Sequence, residues 1–125
     1  MDVTPRISAD SKVIQSYKNG EFKVSGDVYQ GGVLVFPDDV RPWTIHKNVV
    51  DLDISDLQVI IDAKPDFEVL LLGTGNNFAF LPPELSAHLK QQGISAECMN
   101  TGAACRTFNV LLTEGRKVCA AMLPI

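Results

Sequence analysis

The stretch from Cys98 to Pro124 constrains the fold more than any other part of this chain. In order, it reads as the end of a short apolar run, a polar turn at Asn100-Thr101-Gly102, an amphipathic helix, a glycine stop at Gly115 and a second apolar run. Connections this short force the helix to pack directly on the strands it joins. The spacing predicts strands over residues 96–99 and 118–123, with a helix over residues 103–114. Thr101 is the expected N-cap, because its hydroxyl can accept from a free amide of the first turn. Ala104, Phe108, Leu111 and Leu112 fall on one helix face, and Arg106, Asn109 and Thr113 on another.

The same alternation runs upstream. Val69 to Leu72 is continuously apolar, as expected of a strand buried on both faces, and Gly73-Thr74-Gly75 ends it. After a loop over residues 76–81, Pro82-Pro83 can open a helix, where a missing amide donor does no harm. Leu85 and Leu89 mark its buried face and Gly93 supplies a left-handed stop. Residues 69–99 are therefore a strand–helix–strand unit, for which parallel strands and a right-handed crossover are expected. Ahead of it, Ser55 can cap a short helix carrying Leu57, Ile60 and Ile61, with Pro65 as its stop.

The first half reads differently. Residues 13–18 and 21–24 flank Asn19-Gly20, a strong hairpin signal because both residues tolerate positive φ. Gly26-Asp27 and Gly31-Gly32 punctuate further short strands, and residues 33–36 form a buried strand ended by Pro37. A turn-rich connection leads to Trp43, the single tryptophan, read as a core plug rather than the wall of a binding site. Residues 1–11 read as a polar arm, and residues 12–125 as one α/β domain. The expected architecture has three layers: a central mixed sheet, helices on one face and an N-terminal β-hairpin layer on the other.

Composition matters mainly for what it excludes. A formal charge of -4 on 125 residues, with no run of Lys or Arg, argues against nucleic acid as a partner. Three cysteines, Cys98, Cys105 and Cys119, match no metal or redox spacing and fit a reducing compartment. No apolar run is long enough to span a bilayer, and the start of the chain has neither secretory nor transit character. A cytoplasmic location is expected, with no membrane insertion.

An ordered set of residues carries a resemblance. Gly73-Thr74-Gly75, Gly93-Ile94, Thr107-Phe108-Asn109, Glu114-Gly115-Arg116, Ala120-Ala121 and Pro124 are similar to the small domain of mitochondrial complex I assembly factors and their prokaryotic homologues. The Gly31 to Pro37 segment and Trp43 also match the family's aromatic after a hydrophobic strand. The resemblance covers residues 20–124. It implies a three-layer α/β fold with a mixed sheet, no established enzyme activity, no cofactor and a protein partner. The targeting segment of the mitochondrial proteins is not seen, which points to a bacterial or archaeal source.

Two readings of function follow. The first is a small non-catalytic protein acting through a protein partner, with Arg116 as a contact; Gly115 as helix stop and Arg116 beside a helix C-terminus also explain that motif structurally. The second is a small-anion-binding protein or enzyme. It places the site between the Gly73–Asn77 loop and the helix beginning near Thr101, with Gly73, Thr74, Gly75, Asn76, Thr101, Arg106 and Asn109 as ligand-binding candidates. Against it, Gly73-Thr74-Gly75 lacks the third glycine of a dinucleotide fingerprint, and Arg106 and Asn109 can equally tie the helix to its neighbours. Cys105 lies beside Arg106 but also near the apolar face, so a buried inert thiol is favoured over a nucleophile. His46 and His88 have no recognisable cysteine partner, and no metal-ligand spacing occurs. Asp38-Asp39 and Asp51, Asp53 and Asp56 read as solvated or capping residues. Association with a second copy is a further possibility.

Overall fold

A computed structural model describes residues 12–64 and 66–125; the N-terminal arm and the Pro65 stop lie outside the described residues. The first described element is a three-stranded antiparallel sheet of β1 (Ile14–Lys18), β2 (Glu21–Val24) and β3 (Asp27–Gln30), in the order β1-β2-β3. Asn19 and Gly20 at φ 54° and 74° make the first turn, the pair of positive φ angles that matches strand twist in a two-residue hairpin. The second turn is made by Ser25 and Gly26, one residue earlier than Gly26-Asp27 suggested.

The central sheet has five strands in the order β5-β4-β8-β6-β7. β4 (Gly32–Val35) pairs antiparallel with edge strand β5 (Val40–Trp43) and with β8 (Val118–Met122). β6 (Val69–Gly73) pairs parallel with both β8 and β7 (Ala96–Met99), so the sheet is mixed, as expected. Among the described residues three α-helices complete the fold: α1 (Gln58–Asp62), α2 (Pro83–Gln91) and α3 (Thr101–Thr113).

The period-2 alternation of strand side chains separates two cores. Leu34, Leu70, Leu72, Cys119 and Ala121 meet α1 and α2 with Trp43, Leu57, Ile60, Leu85 and Leu89. Val33, Val35, Leu71, Ala120 and Met122 point the other way, toward Phe108 and Leu112 of α3 and toward Ile14, Phe22 and Val24. Here the expectation of helices on one face needs correction: α3 shares its face with the three-stranded sheet. Strand order supplies the reason. β7 lies on one side of β6 and β8 on the other, so crossovers of the usual right hand step in opposite directions and place α2 and α3 on opposite faces.

Local chemistry fixes the helix ends. Asn100, not Thr101, caps α3, its side chain accepting from the Ala103 amide at 2.9 Å, so the helix starts two residues before the expected boundary. Asp53, not Ser55, caps the turn before α1 in a reciprocal box with Asp56. Trp43 is a core plug; its indole N–H donates to the Asp56 carbonyl at 3.0 Å.

Candidate functional site

β6 and β8 end beside each other, Gly73 opposite Met122, and β5 ends at Trp43 on the same side of the sheet. Segments leaving these carboxyl ends are the usual place for ligands in an open α/β sheet. Between β6 and α3, however, the gap is stitched shut. Thr101 is fully buried; its hydroxyl accepts from the Gly75 amide at 2.9 Å and donates to the Leu123 carbonyl at 2.6 Å. The Thr101 amide in turn donates to the Gly75 carbonyl at 2.9 Å. Gly73 lacks a side chain because there is no room for one: a Cβ there would lie 2.8 Å from the Thr101 hydroxyl and 2.7 Å from the Met122 sulfur. Thr74 is anchored through its hydroxyl to the Asn77 carbonyl at 2.7 Å.

The seven candidate ligand residues therefore divide. Gly73, Thr74, Gly75 and Thr101 come together as one hydrogen-bonded junction, with Asn76 exposed beside it. Arg106 and Asn109 face β1 instead. The exposed Arg106 guanidinium donates to the Tyr17 hydroxyl at 2.8 Å. Asn109 behaves like a strand partner, accepting from the Ile14 amide at 3.0 Å and donating to the Ile14 carbonyl at 2.8 Å. Arg116 follows the positive-φ stop at Gly115 and makes an exposed ion pair with Glu68 at 3.2 Å.

An open concavity lies on the other flank of the Gly73–Asn77 loop. A groove of about 730 Å³ runs between the Ile45–Asp51 segment and residues 74–79, with Leu123 and Pro124 at its base. Its lining is mixed, with His46, Lys47, Asp51 and Asn76 among the polar residues, but it includes exposed Val50 (61%) and Phe78 (52%); Phe80, 74% exposed, lies next to it and meets Phe78 edge to face with centroids 4.8 Å apart. Reading residues 76–81 only as a loop overlooked this exposed pair. The available signal was the spacing Phe78-Ala79-Phe80-Leu81, which alternates outward and inward; only Ala79 and Leu81 pack on the core.

Electrostatics favours the neutral thiol at all three cysteines. Burial pushes Cys105 and Cys119 up to about 12, and the Arg106 charge beside Cys105 offsets this only in part. Cys98, half-buried, is raised by the same cause. Lys47 on the groove wall is held protonated above its ordinary range, first by its 2.8 Å hydrogen bond to Asp56 and further by Asp53. Among the described residues, no group of three or more His, Cys, Asp or Glu side chains is placed to hold a metal ion.

Comparison with known proteins agrees with this architecture. Residues 14–123 match the model of a family described as "Protein of unknown function (DUF498/DUF598)". An uncharacterised protein of Rhodobacter capsulatus is 38% identical over 112 residues, covering 90% of this chain and 84% of that protein. NADH dehydrogenase [ubiquinone] 1 alpha subcomplex assembly factor 3 of Xenopus tropicalis is 31% identical over 119 residues, covering 95% of this chain but 64% of the assembly factor. Among solved structures, a Bartonella henselae protein described as an outer membrane protein superposes with TM-score 0.84 at 34% identity, covering 91% of this chain and 95% of that one. A Bordetella pertussis protein described as a Mth938-like domain superposes at 0.79 with 27% identity, covering 99% and 92%.

Proposed function

The chain belongs to the DUF498/DUF598 family, and from that membership we propose that it works by binding a protein partner, as an assembly-factor-like protein. The observation that carries this reading is the exposed pair Phe78 and Phe80, with Val50 across the groove. Large apolar side chains gathered at one rim lose hydration free energy until something covers them, and such patches mark interaction surfaces. Relatives named as assembly factor 3 of NADH dehydrogenase support the reading. This chain spans less than two-thirds of their length, so the role of their remaining sequence is not carried over. Arg116 is a further candidate contact, since its ion pair with Glu68 is exposed and costs little to exchange. No helix among the described residues is long and apolar enough to cross a membrane, and a cytoplasmic location suits a protein-binding role.

The test is co-purification of the tagged chain from its native cell at low salt, with mass-spectrometric identification. A stoichiometric protein retained by wild type is expected, weakened by Phe80→Ser and, if Arg116 contributes, by Arg116→Ala. Reproducible absence of any partner would refute the reading. A second reading, a small-molecule site, is favoured by the position of the groove at the carboxyl ends of β5, β6 and β8, with Thr74, Gly75 and Asn76 in its wall. A metabolite thermal-shift screen comparing wild type with Asn76→Ala tests it.

A further inference from the structure

We propose that residues 77–81 and the adjoining groove dock an extended segment of the partner, apolar at alternate positions and flanked by Lys or Arg, through main-chain strand addition. This rests on the partner-binding reading and specifies the partner's chemistry. Three features of the molecule carry it.

The first is geometry. Phe78 and Phe80 point outward while Ala79 and Leu81 pack inward, the side-chain alternation of a strand. The second is the bare backbone. Among the described residues, none hydrogen-bonds to the backbone of Phe78, Ala79 or Phe80. A strand-like segment with free N–H and C=O groups is a template for another strand, and flanking pockets then select its alternate side chains. Val50 and Phe78 line the groove, with the Phe80 ring packed edge-on against Phe78 beside it.

The third feature is charge. Asp51 lines the same groove as Phe78, and Glu84 and Asp53 line a neighbouring concavity with Pro82 and the half-exposed Ile54. The one lysine of this face, Lys47, is already engaged by Asp56 and Asp53, leaving Asp51 and Glu84 without a cation among the described residues. This rim attracts a basic segment and repels an acidic one. It also disfavours a second copy of the chain, which would bring identical carboxylates together on a molecule of net charge -4.

Short random peptides displayed on phage and selected on wild type, with the Phe78→Ser/Phe80→Ser double variant as counter-target, test the proposal without knowledge of the native partner. Both side chains are exposed, so the variant keeps the fold, and a matching melting curve verifies this. Enriched peptides are expected to alternate apolar residues between basic flanks. A synthetic copy should bind about tenfold more weakly to the double variant, and about tenfold more weakly when its alternate amides are N-methylated. Enrichment of acidic peptides, no enrichment, or affinity untouched by N-methylation would overturn it, as would dimerisation of wild type but not the variant in sedimentation. A native partner retained by the double variant would leave the partner reading standing and remove this surface from it. An empty native co-purification beside a peptide that binds as described would do the reverse.

Discussion

Thr101 has no solvent exposure, yet its one hydroxyl satisfies an amide from the β6 loop and a carbonyl from the end of β8. Thr101→Val keeps the shape and removes both bonds, leaving buried backbone groups unpaired. We expect a loss of about 2–4 kcal/mol in urea unfolding, with Thr101→Ser recovering most of it. If valine is tolerated within about 0.5 kcal/mol, the junction is not a stabilising one. The thiols give a second prediction at this scale. Cys105 and Cys119, both buried, should resist iodoacetamide in the native protein while Cys98 reacts first; urea should expose all three, as counted by mass spectrometry. Their raised values also make stability depend on pH. The neutral thiol is favoured in the fold, so this contribution is whole below the ordinary cysteine value of 9.0 and is lost as pH rises toward about 12. Unfolding free energy should fall across that window by up to about 1.4 kcal/mol per pH unit for each buried thiol, and Cys105→Ala should flatten the slope.

At the scale of elements, α3 rests on Phe108, which is fully buried between the central sheet and the three-stranded one. Phe108→Ala should cost about 3–5 kcal/mol, and a loss under about 1 kcal/mol would contradict its place in the core. Gly73→Ala should cost about 1–3 kcal/mol by forcing α3 away from β6, because its Cβ would meet Thr101 backbone at 3.2 Å as well as its hydroxyl. The elements themselves were legible where local chemistry is strong: Asn19-Gly20 marked its turn, Gly93 and Gly115 their helix stops, and Leu70 to Leu72 the buried strand. The face taken by α3 was not legible, because it depends on β8 inserting between β4 and β6, a long-range choice no local pattern records. The site divided for the same reason. Gly73, Thr74, Gly75 and Thr101 converge as their positions at strand and helix ends implied, whereas Arg106 and Asn109 were drawn away by β1, whose position over α3 helical spacing cannot reveal.

The central five-stranded sheet is covered on both faces, with the three-stranded sheet packed beside α3 on one of them. Ile14, Phe22 and Val24 enter the second core, and Asn109 pairs with both backbone groups of Ile14 as a neighbouring strand would. β6 and β8 sit inside the sheet with partners on both sides, so their amides can exchange only when the molecule opens as a whole. In the outer sheet β1 is an edge strand paired only with β2, so losing the Asn109 clip is expected to loosen β1 more than the central strands. Asn109→Ala should therefore lower stability by about 1–3 kcal/mol. It should also accelerate hydrogen exchange at Ile14 and its β2 partners by more than the global loss alone explains. The complementary expectation concerns the proposed docking segment: the amides of Phe78, Ala79 and Phe80 should exchange fastest among the residues between β6 and α2, and should become protected when a selected basic peptide binds. Uniform acceleration across β1, β6 and β8 in Asn109→Ala would mean that the two sheets unfold as one unit and that the clip is part of the global core.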